Sequence, residues 1–132
     1  MNAVTQVCAA LASIVLIAVF PVEAFLIHRP WVQRFLGVEP HGLENVRLWS
    51  FSVGFRNALA GAGTLVGLWM VNVGDRATGT VVVVVGLIYM LGTSLSMALS
   101  DALGYWRPRG GSLKGTVASS VLPAAALVAL AV

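Results

Sequence analysis

The sequence predicts an all-α membrane protein, an antiparallel four-transmembrane-helix bundle occupying a single domain over residues 1–132. Three observations predict it. Hydrophobic residues make up 58% of the chain and charged ones 10%, against about 25% charged in an average soluble domain. Mean hydropathy is +0.91. Apolar stretches of the length that crosses about 30 Å of hydrocarbon recur along the whole chain.

The first span runs from about Val4 to Ile27. Met1 to Val22 carry no Lys or Arg, and Ala18-Val-Phe-Pro21 is a poor cleavage sequence. A signal peptide needs a basic start, so this segment reads as a retained span. The second span runs from about Trp49 to Val71, the third from about Thr78 to Leu99 and the fourth from about Thr116 to Val132. The valine run Val81–Val85 would suggest a strand in water. Inside a span it reads as helix, because a lone strand leaves its backbone unsatisfied in lipid.

The connections differ in character. His28 to Leu48 holds Arg29, Arg34, Arg47, Glu39 and Glu44, with Pro30 and Pro40 as breakers. Trp31, Val32, Phe35 and Leu36 fall at helical spacing beside Arg34, which suits either a short interfacial helix or a loop with interfacial anchors. The turn Asn72–Ala77 is short enough to make spans two and three antiparallel neighbours. Asp101–Leu113, with Arg107, Arg109, Gly110 and Gly111, reads as a mobile basic loop.

Charge orients the bundle. The two long connections carry Arg29, Arg34, Arg47, Arg107, Arg109 and Lys114, and the short turn carries Arg76. The positive-inside rule places both basic loops in the cytoplasm and both termini outside, as in a multi-pass inner-membrane protein. Trp31, Trp49, Tyr105 and Trp106 mark the cytoplasmic boundary and Trp69 the outer one.

Several functions are excluded. The net charge of +3 is spread thinly, without the basic stripe and interleaved aromatics of a nucleic-acid binder. The one cysteine, Cys8, cannot form an intrachain disulfide and reads as a packing residue. His28 and His41 lack matching ligands, so no metal is expected. No phosphate loop, nucleophile elbow or CxxC occurs, and no cofactor is expected.

Polar residues inside the spans are costly and usually face the bundle interior. Glu23 lies near the cytoplasmic end of span one, and Arg56 and Asn57 lie in span two. Tyr89, Thr93 and Ser96 follow helical spacing on one face of span three. All fall in the cytoplasmic half, which predicts a polar pocket of Glu23, Arg56, Asn57, Tyr89, Thr93 and Ser96 open to the cytoplasm. Glu23 has three readings: snorkelling to the head groups, a buried pair with Arg56, or a site for a cation or proton. Arg56 either pairs with Glu23 or awaits an anionic head group. Gly54 and Gly61 share a face with Asn57 and suit packing within the chain. Gly63 and Gly67 form a small-xxx-small pair suited to a dimer.

Pro21-Val-Glu-Ala-Phe25, Trp31–Val38, Gly54-Phe-Arg-Asn57-Ala-Leu-Ala-Gly61, Gly86-Leu-Ile-Tyr89 and Val121-Leu-Pro-Ala-Ala-Ala126 resemble the DUF1304 family of small bacterial membrane proteins. The resemblance covers nearly the whole chain through short motifs. It implies a four-helix fold with Glu23 and Asn57 as the characteristic polar pair. The chain departs from the family at Arg56, where a tyrosine is usual, and at Ser52 and Val53, where Asn-Gln is common. It also lacks a glutamine before Pro123. The family has no assigned activity, so the resemblance implies fold more than function.

The leading expectation is a binding or transport module for a small amphipathic molecule or a proton, working as a homo-oligomer. The alternatives are a membrane enzyme acting on a lipid or isoprenoid, and a structural subunit of a larger membrane complex. The expected partners are the lipid bilayer, a lipid or small-molecule ligand, and further copies or other subunits of a membrane complex.

Overall fold

A computed structural model describes the backbone of residues 1–132 and every side chain except that of Pro40. It is all-helical: α1 (Ala3–Phe25), α2 (Pro30–Leu36), a 3₁₀ turn (Pro40–Gly42), α3 (Leu43–Val73), α4 (Arg76–Ala102) and α5 (Leu113–Ala131). Three helices, α1, α4 and α5, are long and apolar enough to cross a membrane. The 31-residue α3 is the longest, but Arg56, Asn57 and its glycines dilute its apolar character. It begins at Leu43, ahead of the expected Trp49, because no breaker follows Gly42.

Each helix end has a local cause. The Asn2 side chain caps α1 by accepting from the Thr5 amide at 2.9 Å. Pro30 opens α2 at the position where a missing N–H costs nothing. Gly37, at φ 67°, closes α2 in the left-handed region that glycine tolerates. Of the two alternatives open for Trp31–Leu36, a short helix or a loop, the helix forms. Asp75 caps α4, accepting from the Ala77 amide at 2.9 Å and the Thr78 hydroxyl at 2.5 Å. The Thr78 bonds hold its carboxyl below the usual carboxylate range. The cap therefore contributes fully at neutral pH and is lost only as pH falls through that lowered value.

The four long helices pack in cyclic order: α1 on α3, α3 on α4, α4 on α5, and α5 back on α1. Glycine sets the spacing. A β-carbon on Gly61 would lie 2.8 Å from the Ser13 carbonyl of α1. One on Gly79 would lie 2.7 Å from both the Gly67 carbonyl and the Val71 nitrogen. Gly67 therefore packs α3 on α4 within the chain, and the expected dimer role for a Gly63–Gly67 pair does not hold for Gly67. The core runs through Ala9, Leu68, Val83, Leu87 and Ala126.

Both long connections lie at the same end of the helices. A β-carbon on Gly37 would sit 3.4 Å from the Trp106 indole. At the opposite end the Asn2 amide donates to the Ala129 carbonyl. There too the Asn72 amide donates to Gln6 Oε1 at 2.9 Å. The Asp101–Leu113 connection is tied down rather than loose. Buried Asp101 accepts from the Gly110 amide at 2.8 Å, the Ser112 amide at 3.1 Å and the Ser112 hydroxyl at 2.7 Å. This places a carboxylate where α5 begins, complementing the helix dipole.

Gly79→Leu should lower the melting temperature by the equivalent of about 1–3 kcal/mol through overpacking. Gly63→Ala, which meets nothing within 4 Å, should leave it unchanged or raised by up to about 1 kcal/mol; thermal unfolding in detergent compares them. Asp101→Asn should speed tryptic cleavage at Arg107 and Arg109 several-fold, followed by gel electrophoresis.

Candidate functional site

Polar groups meet inside the helical bundle where the end of α1 crosses α3. Glu23 sits two residues before the end of α1 and two after Pro21. It is half-buried. Across from it, Gly54 removes a side chain: a β-carbon there would lie 3.0 Å from Glu23 Oε2 and 3.1 Å from both Glu23 Cβ and the Phe20 ring. Asn57, three residues along on the same face of α3, brings its amide to the Glu23 carboxyl. The Ser50 hydroxyl donates to the Glu23 carbonyl at 2.6 Å. That bond satisfies a carbonyl left over at the end of α1 and cross-links the two helices.

Glu23 Oε2 is buried and lacks a hydrogen-bond partner. Buried carboxylate oxygens are normally satisfied, which sets this one apart within the bundle. Beside it stands an aromatic wall. Phe20 meets Phe25, Phe51 and Phe55 edge-on at 5.8, 6.0 and 5.9 Å between centroids, and Phe51 stacks on Phe55 at 6.3 Å. Phe25, Phe51 and Phe55 remain exposed on the outer surface.

The six residues expected to share a pocket separate into two groups. Glu23 and Asn57 meet between α1 and α3. Arg56 is exposed, and its Nε donates to the Ser52 carbonyl of its own helix at 3.2 Å. The alternative of a Glu23–Arg56 pair is not what forms: neighbouring positions on a helix point about 100° apart, so Asn57 and Arg56 cannot both face α1. Tyr89 is half-buried on α4, and Thr93 and Ser96 are exposed. The Thr93 hydroxyl donates to the Tyr89 carbonyl at 2.9 Å and that of Ser96 to the Thr93 carbonyl at 2.7 Å. Such back-bonding lets a hydroxyl sit on an apolar face.

Two open cavities lie elsewhere. One of 330 Å³ at the end of α4 is lined by Ala98, Asp101, Arg109 and Ser112 among others. The other, of 470 Å³, lies between α1 and α3 at the opposite end, lined by Gln6, Leu65, Trp69 and Asn72 among others. None of the six expected residues lines either one. Ser50, Gly54 and Asp101 were not singled out from the sequence as site residues. Gly54 had a signal, its spacing of three from Asn57. Asp101 had none, because its partners Gly110 and Ser112 lie across the connection.

Apolar helices of spanning length and a polar cluster within them define a small helical membrane protein. The model of a family described as "Protein of unknown function (DUF1304)" matches residues 10–131, and the chain belongs to that family. No curated protein and no solved structure matches it.

Gly54→Ala tests the tightness of the site. Its gain in helix propensity of up to about 1 kcal/mol should be outweighed by contact with Glu23 and Phe20. The melting temperature should fall, measured by thermal unfolding in detergent.

Proposed function

We propose that the protein is a multi-pass inner-membrane protein that binds, or moves, a small amphipathic molecule or a proton at the Glu23–Asn57 site. In this reading the four long helices form an antiparallel transmembrane bundle. Both termini lie outside, and the basic connections lie in the cytoplasm. The excess of Arg and Lys on the two long connections supports that orientation. With 31 residues, α3 reaches about 46 Å, enough to span despite Arg56 and Asn57. Four helices enclose little space alone, so a homodimer is the working unit.

The observation that carries this reading is the buried, unpartnered Glu23 Oε2 beside the Asn57 amide. A carboxyl so placed accepts a proton or an ammonium-type donor, and the amide can donate and accept at once. The phenyl wall supplies apolar contact for the remainder of an amphipathic guest.

A second reading, an enzyme acting on a lipid or isoprenoid with Glu23 as general acid–base, is favoured by one observation. Arg56 turns away from Glu23, so no guanidinium holds the carboxyl in its charged form.

The test is purification in mild detergent followed by native mass spectrometry for a retained small molecule. Glu23→Gln and Asn57→Ala should each reduce retention by about tenfold, the loss of one charge-assisted hydrogen bond. Normal retention by both variants overturns the site. Conversion of the retained molecule on incubation separates enzyme from carrier.

A further inference from the structure

Gly67 meets α4, and helical spacing aligns Gly63, Arg56, Ser52 and Trp49 with it along α3, in threes, fours and sevens. At Gly67 this face is closed: an added β-carbon would lie 2.9 Å from Val82 and 3.0 Å from Val83. One turn nearer the basic end, at Gly63, nothing lies within 4 Å. Two turns further on, Arg56 is exposed. The facing stripe of α4 behaves alike. Val82 touches Gly67 and Gly86 touches Thr64. Tyr89 below them is half-buried, and Thr93 and Ser96 are exposed. Continuing the register of these contacts places Arg56 level with Thr93 and Ser94. The α3–α4 seam is therefore packed near the Gly74–Asp75 turn, while towards the basic end its outer flank at Arg56, Thr93 and Ser96 is open and Met90 and Ser94 stay buried on the inner side.

Arg56 has no acidic partner on either wall. Between Arg47 and Asp75, and again between Asp75 and Asp101, the chain contains no Asp or Glu. Asp101 itself is buried and occupied by Gly110 and Ser112. A guanidinium on a membrane helix is costly unless it is paired or reaches head groups. Helical side chains tilt towards their helix N-terminus, and the bond from Arg56 Nε to the Ser52 carbonyl shows that tilt. It points the charge at the Trp49 end, where the basic connections lie.

We propose that the open outer flank of the α3–α4 seam is a lateral binding site for an anionic phospholipid. Its phosphate is held by Arg56, and one acyl chain lies in the gap beside Gly63. Guanidinium matches phosphate in shape and charge. A second copy of this chain offers the same two acid-free walls and so nothing to meet Arg56. The proposal rests on α3 lying in the bilayer, and it is separate from the Glu23–Asn57 site on the α1 side.

The experiment is native mass spectrometry of the detergent-purified, delipidated full chain titrated with phosphatidylglycerol, phosphatidylcholine or inorganic phosphate. The wild type should retain phosphatidylglycerol in preference to phosphatidylcholine. Arg56→Gln should weaken that retention by about tenfold or more, as expected for a hydrogen bond to a charged group. Arg56→Lys should keep part of it. Gly63→Leu, placed in open space, should weaken it without altering charge, and Glu23→Gln should leave it unchanged. Circular dichroism and melting temperature establish that each variant is folded. Equal retention by Arg56→Gln or by Gly63→Leu overturns the proposal. So does displacement of the lipid by inorganic phosphate, which marks a free-anion site. A dimer that Gly63→Leu dissociates also overturns it, since a second copy then fills the seam. Parallel loss in Glu23→Gln overturns the separation of the two sites.

Discussion

The close approach of backbones along α3 is the constraint on which the other features depend. Gly54 and Gly61 let α3 settle against α1, and Gly67 meets Gly79 and the valines of α4. In lipid there is little hydrophobic force between helices, so van der Waals contact between small residues carries much of the association. The 2.7 Å and 2.8 Å distances at Gly79 and Gly61 leave no room for a methyl group. Helix α3 is thereby fixed in rotation as well as position, and its rotation decides which polar side chains point where.

That rotation explains the split between Asn57 and Arg56. With Gly54 and Gly61 turned to α1, Asn57 follows them to the Glu23 carboxyl. Arg56, one residue earlier, turns to the α4 side and outward. The same rotation puts Ser50 against the Glu23 carbonyl. One glycine face thus assembles a polar cluster at the α1 seam and leaves a lone cation at the other. The exposed phenyl groups of Phe25, Phe51 and Phe55 suit a surface bathed in hydrocarbon, where an apolar exterior carries no penalty.

The ends of the molecule are unlike in chemistry. One is closed by amides: Asn2 to Ala129, and Asn72 to Gln6. The other carries Arg29, Arg34, Arg47, Arg107, Arg109 and Lys114, with Asp101 holding the last connection in place. A fixed rather than loose connection keeps Trp106 packed on Gly37, where the two connections touch.

Helix existence and order were legible in the sequence, because apolar length and breaking residues are local properties. So was the concentration of charge on two connections, whereas Trp31–Leu36 left a short helix and a loop equally open. The division of the six polar residues into two seams was not. Spacing tells which residues share a face of one helix, but not which neighbour that face meets. On α3 glycine and polar residues occur around the whole circumference, so no apolar stripe marks the buried side. Asp101 escaped notice for a related reason, since its partners lie nine and eleven residues away across a loop. The sequence by itself determined the elements, their apolar character and their charge. Tertiary packing alone decided their rotation, because contact between glycines of different helices is a property of two surfaces together.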